Sequence, residues 1–374
     1  MKQILYISDV NASEPLFHSQ VLPHVAELSQ IYDVKLLCLS REEQFEYDYS
    51  YRSVPGDYII GVSYYNFRKH KKNLVHFLNK HKFLLIYSRG FRGGLLGTFI
   101  KNHIYGGRIS LINDVRADVI DEHKLIGGYI RGTMMEAIFT VTIRYIFKNA
   151  NALFFVSSYL RNKYCARFKF DKETAICPTF VPDDKFIFSS QVRDQWRLKL
   201  GYLPNDIVVL YSGNYAKWQN VDTIFEAYDK CTNPVVKLLI VTKDKEIHTL
   251  LEKNKNKENI QIFSADYDII QNYYFAADYG LLIRDNIETN KCSAPTKFSE
   301  YLNAGVILIS TDIVADYIDY LKSSSLSYKL IKEKHELASL FDSLEPISRN
   351  NIQVNTLKQI VEFQTAFFTR QLTG

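Results

Sequence analysis

The sequence of 374 residues contains few cysteines and no pattern that would organise them. The five cysteines stand apart in the chain without a C-x-x-C pair, and they are Cys38, Cys165, Cys177, Cys231 and Cys292. A disulfide framework or a structural zinc site needs closely spaced pairs, so the pattern fits neither. We therefore expect a protein kept in a reducing cytoplasm.

Long apolar runs are also missing. The best candidate for a membrane span, "TMMEAIFTVTIRYIF", is interrupted by Glu136 and Arg144 and falls short of the roughly 20 apolar residues that a bilayer requires. The opening "MKQILYIS" is too short for a signal peptide. The sequence predicts no transmembrane helix and a cytoplasmic location.

The excess of positive over negative charge is small, because the formal net charge is only +5, and no basic arm is present. Nucleic acid is therefore not expected as a partner. The densest basic run, "RKHKKNLVHFLNKHK", covers 68–82 and places apolar residues at helical spacing between lysines and histidines. It predicts an amphipathic helix that either is simply solvated or contacts an anionic membrane surface at the inner face.

What the sequence does contain is an alternation of short apolar runs with helical patterns, as in "QILYIS", "DVKLLCLS" and "FLLIYS". This alternation is typical of parallel sheets covered by helices. The connector "CPTFVPDDKF" interrupts it, and the same alternation restarts afterwards. We predict an α/β protein with doubly wound domains at 1–178 and 187–350, followed by a helix within 351–374.

One stretch combines several signals of an anion site. In "SAPTKFSEYLNAGVILIST", Pro295 is a suitable first helical residue, Lys297 falls in the first turn and Glu300 follows one turn later. Gly305 then leads into an apolar strand. The free N–H groups at a helix start favour an anion, and a nearby lysine suits phosphate. The alternative is an ordinary helix start with a solvated lysine.

Four segments resemble those of one enzyme family, the GT-B glycosyltransferases, and within it the retaining group known as family 4, which builds bacterial surface polysaccharides and glycolipids. The segments are "ALFFVSSYLRNKY", "CPTFVPDDKF", "VVLYSGNYAKWQNVDTIFEAY" and "SAPTKFSEYLNAGVILIST". The resemblance implies two Rossmann-like domains that face each other across a cleft, the first for the acceptor and the second for the sugar nucleotide. It also implies a C-terminal helix that crosses back to the first domain.

The resemblance further implies a set of donor-binding residues. They are Gly213, Asn214, Lys217, Pro295, Thr296, Lys297 and Glu300. Glu300 matches a glutamate that accepts hydrogen bonds from ribose hydroxyls in the family. The amides near Thr296 and Lys297 would hold the diphosphate, and Gly213 would let the backbone approach it closely.

On the acceptor side, the segment "INDVRADVIDE" resembles one in which the family places polar residues facing the sugar. Asp114 and Arg116 are therefore the candidate catalytic residues, with an ion pair at a strand end as the alternative interpretation. In the first loop, "SDVNASEP", Asn11 and Ser13 are candidates for contacts with donor or acceptor.

The sequence departs from the family pattern at three phosphate- or sugar-binding positions. Asn214 and Gln219 replace an arginine and a lysine, and Cys292 replaces the first glutamate of a pair. Lys217 could substitute from a neighbouring position. The loop "SDVNASEP" also lacks the paired glycines that are often found there.

The predicted reaction needs neither a metal nor another cofactor, since the sugar nucleotide is itself a substrate. A helix start and lysines can stabilise the departing diphosphate. Family membership implies retention of configuration, and without an evident nucleophile we favour attack on the face from which the leaving group departs. The alternatives are a catalytically weak scaffold module and, on the same fold, an epimerase or glycan phosphorylase.

Overall fold

A computed structural model describes residues 1–10, 14, 16–40, 59–63, 71–347 and 354–373. The chain divides into two compact units. The first unit comprises Met1–Phe180, Cys292–Ala294 and Leu357–Gly374, and the second comprises Val181–Lys291 and Pro295–Thr356.

The first unit is built on a parallel sheet of seven strands in the order β3-β2-β1-β4-β5-β6-β7. Its strands are β1 (Gln3–Ser8), β2 (Asp33–Ser40), β3 (Ile59–Ser63), β4 (Phe83–Arg89), β5 (Ser110–Val115), β6 (Ala152–Phe155) and β7 (Glu173–Ile176). Its helices up to this point are α1 (Leu22–Leu28), α2 (Lys71–Asn79), α3 (Gly90–His103), α4 (Val119–Asn149) and α5 (Ser158–Phe168). The central strands are apolar on both faces because helices cover both sides of the sheet.

The second unit has a parallel sheet of six strands in the order β10-β9-β8-β11-β12-β13. Its strands are β8 (Ile207–Ser212), β9 (Val236–Val241), β10 (Ile260–Phe263), β11 (Tyr279–Leu282), β12 (Ile307–Thr311) and β13 (Tyr328–Ile331). The helices from here are α6 (Ser190–Lys199), α7 (Val221–Tyr228), α8 (Ile247–Lys253), α9 (Ile270–Ala276), α10 (Glu288–Cys292), α11 (Thr296–Asn303), α12 (Ala315–Ser323) and α13 (Glu336–Asp342). The strand order reverses between β8 and β11, which is where open α/β sheets bind ligands. The predicted fold class is confirmed.

The last helix, α14 (Leu357–Thr373), belongs to the first unit. Its residues Val361, Phe367 and Phe368 are buried in the same core as strands β1, β4 and β6. The rings of Phe367 and Phe154 meet edge to face at 4.8 Å. The apolar side of this helix therefore packs on the first sheet.

Within the described residues, no helix is both long enough and apolar enough to cross a bilayer. Helix α2 covers Lys71–Asn79 within the basic segment 68–82 and ends before Lys80, and Arg68, Lys69 and His70 lie outside the described residues.

Candidate functional site

Helix α11 starts at the carboxyl ends of β8 and β11 without a side-chain cap. Pro295 precedes the helix with ψ of 126°, which is extended backbone, so it is the N-cap and not the first helical residue as predicted. The helix begins at Thr296, one residue later. The Phe298 N–H donates to the Pro295 carbonyl at 3.1 Å, whereas the N–H groups of Thr296 and Lys297 have no side-chain cap and can bind an anion.

Gly213 and Lys297 lie in direct contact beside this helix start. Gly213 has φ of +145°, and a Cβ placed on it would lie 2.5 Å from Lys297 Nζ. Lys297 Nζ donates to Gln219 Oε1 at 2.9 Å and stands 4.2 Å from the centroid of the Tyr211 ring. The glycine thus makes room for the lysine ammonium at the end of β8.

A second cation near this position is Arg284, which the sequence analysis missed. It follows β11, is buried, and donates from Nη1 to Asn290 Oδ1 at 3.3 Å. Its Nε has no hydrogen-bond partner among the described residues. Burial lowers the pKa of Arg284 to about 10. The only local signal in the sequence is an arginine placed directly after an apolar strand.

The two cations influence each other. Burial holds the pKa of Lys297 well below its ordinary value, and the charge of Arg284 lowers that pKa further. Within the described part of the chain, neither side chain forms a salt bridge with a carboxylate. A lysine and an arginine beside a helix start without a side-chain cap make a site suited to a dianion, and a bound anion would favour the charged form of the lysine.

Glu300 lies one turn further along α11 and is buried. It accepts a hydrogen bond of 2.7 Å from the hydroxyl of Tyr274 on α9. Burial raises the pKa of Glu300, while the Tyr274 hydrogen bond and the charges of Lys297 and Lys185 lower it. Its proposed role at a ribose stays a prediction.

In the loop after β8, the side chain that contacts Lys297 is Gln219. Asn214 is exposed, and its carbonyl accepts from the Tyr211 hydroxyl at 2.7 Å. Lys217 is exposed at the start of a single turn of 3-10 helix, whereas Gln219 at the end of that turn contacts Lys297. Contacts of Asn214 and Lys217 with phosphate stay predictions.

In the first unit, Asp114 is completely buried at the end of β5. It accepts from the Tyr87 hydroxyl at 2.7 Å and lies 3.3 Å from Arg116 Nη1 and 3.7 Å from Arg89 Nη1. Arg116 Nη1 also donates to the Cys177 carbonyl at 3.0 Å. These contacts are those expected for an ion pair at a strand end, which was the alternative interpretation. A catalytic role for Asp114 and Arg116 stays a prediction.

Asp9, at the end of β1, is another side chain that the sequence analysis did not select. It accepts from the Arg92 amide at 3.2 Å in the first turn of α3. Gly90 has φ of +78°, and a Cβ there would lie 2.1 Å from the Asp9 carboxylate. Burial raises the pKa of Asp9 to about 6. Asn11 and Ser13, in the following loop, lie outside the described residues.

A mostly apolar cavity of about 60 Å³ opens at the same end of the first sheet. Its lining includes Gly90, Phe91, Asn113, Arg116, Ile143 and Phe147. Cys292 is buried in this unit, and its thiol donates to Asp118 Oδ2 at 3.8 Å. The position where the resembled family has a glutamate is therefore filled by a buried cysteine.

No family model and no curated protein matches the sequence. Solved structures do match it over the whole length. Sucrose-phosphate synthase from Thermosynechococcus elongatus is 14% identical with a TM-score of 0.68, and the match covers 100% of this chain and 99% of that one. The chain has the GT-B glycosyltransferase fold.

Two further structures show the same similarity. Anabaena HepE in complex with UDP-glucose is 13% identical with a TM-score of 0.67, covering 99% of this chain and 100% of that one. WaaG, a glycosyltransferase involved in lipopolysaccharide biosynthesis, is 13% identical with a TM-score of 0.63, covering 91% and 89%. At such low identities, the structural similarity shows the fold of the chain and nothing beyond it.

Proposed function

We propose that the protein is a retaining glycosyltransferase that moves a sugar from a nucleotide-sugar donor to a lipid-linked or oligosaccharide acceptor in surface polysaccharide or glycoconjugate assembly. The observation that supports this proposal most directly is the pair of basic side chains, Lys297 and Arg284, at the start of α11, which has no side-chain cap. The similarity to HepE with UDP-glucose and to WaaG supports the same class of donor and pathway.

Breaking the bond between the sugar and the diphosphate places negative charge on the leaving group. Lys297, Arg284 and the amides of Thr296 and Lys297 would stabilise that charge, so the proposed reaction uses no metal ion. The acceptor hydroxyl attacks the anomeric carbon on the face from which the diphosphate departs. A phosphate oxygen takes the hydroxyl proton, and the configuration is retained.

The acceptor is assigned to the first unit. Arg116 and the apolar cavity beside it lie at the carboxyl ends of the strands, where α/β sheets bind ligands. The basic segment 68–82 would hold the enzyme on anionic lipid at the cytoplasmic face of the membrane. A lipid-linked acceptor would be reached there.

The test uses the full chain with a panel of nucleoside diphosphates and sugar nucleotides. A ligand that binds only the folded protein stabilises it by about 2.7 kcal/mol at a concentration 100 times the dissociation constant. We expect such stabilisation, and slow donor hydrolysis, for at least one nucleotide. The Lys297→Gln variant should lose the donor hydrolysis and keep a reduced stabilisation, whereas Lys253→Gln, at an exposed site in the same unit, should keep both in full.

Stabilisation by nucleotide without any turnover on added acceptors would support the scaffold alternative. No stabilisation by any member of the panel would contradict the proposed donor site.

A further inference from the structure

Helix α4 carries a stripe of large apolar side chains on its outer surface. Met134, Ile138, Val141 and Tyr145 follow one another at intervals of four, three and four residues, which places them on one face of the helix. Their exposed fractions are 67%, 54%, 66% and 37%. We call these four residues the α4 stripe.

The stripe is additional to the side of α4 that packs in the first unit. Ile143, Ile146 and Phe147 project from the other side of the helix and are buried. The packing of the domain is therefore already satisfied without the α4 stripe. Single exposed apolar residues are common on proteins, but a contiguous apolar row marks an interaction surface.

Basic residues border the α4 stripe. Arg144 and Lys148 are exposed on the same side of the helix. Lys172 lies at the carboxyl end of α4 and donates to the carbonyls of Lys148 and Ala150 at 3.1 and 2.6 Å. The surface thus combines an apolar row with positive charge, which is the composition of a helix that lies in a membrane interface.

Acidic charge on α4 is directed elsewhere. Glu136 falls on the opposite side of the helix from Met134 and is paired with Lys124 at 3.0 Å and with Arg167 at 2.7 Å. Repulsion from anionic headgroups is therefore not expected at the α4 stripe.

Helix α2 has less apolar surface available for contact with a membrane. Its residues Leu74 and Leu78 are buried in the core of the first unit, so these apolar side chains are not available for lipid. Contact through the basic segment 68–82 would be electrostatic. The α4 stripe can supply the apolar contact that such a segment lacks.

A second copy of the chain is a less suitable partner for the α4 stripe than a membrane. Stable interfaces bury about 800 Å² on each partner and involve about 20–30 residues a side. Four large apolar side chains with a basic border form a smaller patch. Like-charged borders would also oppose each other in a symmetric dimer.

We propose that α4 lies on the surface of an anionic bilayer, with the α4 stripe at the boundary between headgroups and acyl chains and with Arg144 and Lys148 among the headgroups. The inner side of the same helix contributes Ile143 and Phe147 to the apolar cavity beside Arg116. Delivery of a lipid-linked acceptor to that cavity rests on the proposed function, whereas the docking itself does not.

The experiment is flotation of the full chain with phosphatidylcholine vesicles, with and without phosphatidylglycerol. The variant Met134→Gln/Ile138→Gln/Val141→Gln keeps good helix formers and removes the apolar row. We expect wild-type protein to float with the anionic vesicles and the variant to lose at least about tenfold in binding. The matched control is Leu198→Gln/Leu203→Gln, which removes two exposed leucines of the second unit and should bind like wild type.

A second variant, Arg144→Gln/Lys148→Gln, tests the charged border. Each neutralised cation should reduce binding to anionic vesicles about fivefold. The variant Lys71→Gln/Lys72→Gln/Lys80→Gln/Lys82→Gln tests the segment 68–82 separately. The proposal is overturned if the triple glutamine variant binds like wild type, if wild type binds neutral vesicles equally well, or if it floats with neither.

Two further readouts separate this proposal from its alternatives. Thermal stabilisation by nucleoside diphosphates should be the same in the triple variant and wild type, which also shows that the variant is folded. Loss of that stabilisation in wild type with flotation intact would contradict only the proposed donor site. A wild-type dimer in light scattering that the triple variant abolishes would make a second copy the occupant and would overturn membrane docking.

Discussion

At the scale of single residues, the second unit holds two neighbouring basic side chains, Lys297 and Arg284, and neither forms a salt bridge with a carboxylate in the described part of the chain. Keeping Lys297 and Arg284 charged and partly or wholly out of water costs stability. Such an arrangement is expected where an anion completes the site. The residues are therefore better explained by what they bind than by what they stabilise.

Changing either cation should reduce turnover more than donor affinity. Lys297→Gln or Arg284→Gln removes charge that matters most when the diphosphate departs, so kcat should fall by about 100-fold with a smaller change in KM. Steady-state kinetics on the donor identified by the panel checks this, with Lys253→Gln as the control. An effect limited to KM would indicate ground-state binding alone.

Replacing Glu300 should weaken the binding of the nucleotide. Glu300→Gln should weaken nucleotide binding by about 1.5–3 kcal/mol if the carboxylate accepts ribose hydroxyls. Isothermal calorimetry measures this loss. Unchanged affinity would contradict the ribose assignment.

The same variant has a predictable pH dependence without ligand. Burial raises the pKa of Glu300, so its ionisation destabilises the folded state once the pH exceeds the ordinary glutamate value of about 4.3. The cost is absent below that pH and complete above the raised pKa. Glu300→Gln should therefore gain stability relative to wild type as the pH rises from about 4 to 8, measured as the difference in melting temperature.

The residues of this site differ in how far the sequence could predict them. Lys297 and Gly213 belong to local patterns, a helix start and a strand-to-loop turn, and the structure places them in contact. Arg284 has no such pattern, because its proximity to Lys297 arises from the pairing of β8 with β11. Asp114 is buried among side chains that are distant in the sequence, such as Tyr87 and Arg89 of β4, so the sequence left an ion pair and a catalytic group as alternatives.

At the scale of elements, α14 is joined to the first sheet by a buried polar chain as well as by its apolar residues. Gln364 donates to the Tyr87 hydroxyl at 3.2 Å, and its Oε1 lies 2.5 Å from His24 Nε2 on α1. The other ring nitrogen of His24 lies 3.0 Å from the Tyr6 hydroxyl. These contacts fit a neutral imidazole that donates to Gln364 and accepts from Tyr6.

The apolar attachment of α14 can be measured with two phenylalanines of the same helix. Phe368→Ala should destabilise the protein by about 3–5 kcal/mol, because Phe368 is completely buried. Phe363→Ala should cost clearly less, since Phe363 is 40% exposed. Denaturant unfolding of both variants checks the difference, and equal costs would contradict the packing described for α14.

Element types were easier to predict than their exact ends. The alternation of strands and helices came from apolar periodicity, which acts within each segment. The observed start of α11 lies one residue after the predicted start. Proline can occupy either the N-cap or the first helical position, because both accept its fixed φ, and only the ψ of Pro295 shows that it is the N-cap. The outer apolar stripe of α4 was obscured because its inner side is apolar too.

At the scale of the whole molecule, buried titratable groups set the response to acid. Burial lowers the pKa of His24 to about 3, so protonation of this residue favours the unfolded chain. Its contribution to stability is complete above the ordinary value of about 6.5 and is lost as the pH falls toward 3. Acid unfolding of the first unit should therefore begin below pH 6.5.

His24→Gln should be less stable than wild type at pH 7 but should lose less stability between pH 6.5 and about 3. The control is His76→Gln at an exposed position of α2, for which the pH dependence of wild type should persist. Urea unfolding at a series of pH values checks the slopes. If the free energy of unfolding changed with pH in the same way for wild type and His24→Gln, the proposed effect of His24 protonation on stability would be contradicted.

The placement of α14 also determines the order in which the protein can be completed during synthesis. The core of the first unit includes Phe367 and Phe368, yet these residues follow the second unit in the chain. A ribosome therefore delivers the whole of Val181–Thr356, which can close its own sheet, before it delivers the helix that fills the first core. The first unit, whose chain emerges first, is therefore completed last, when Phe367 and Phe368 fill its core.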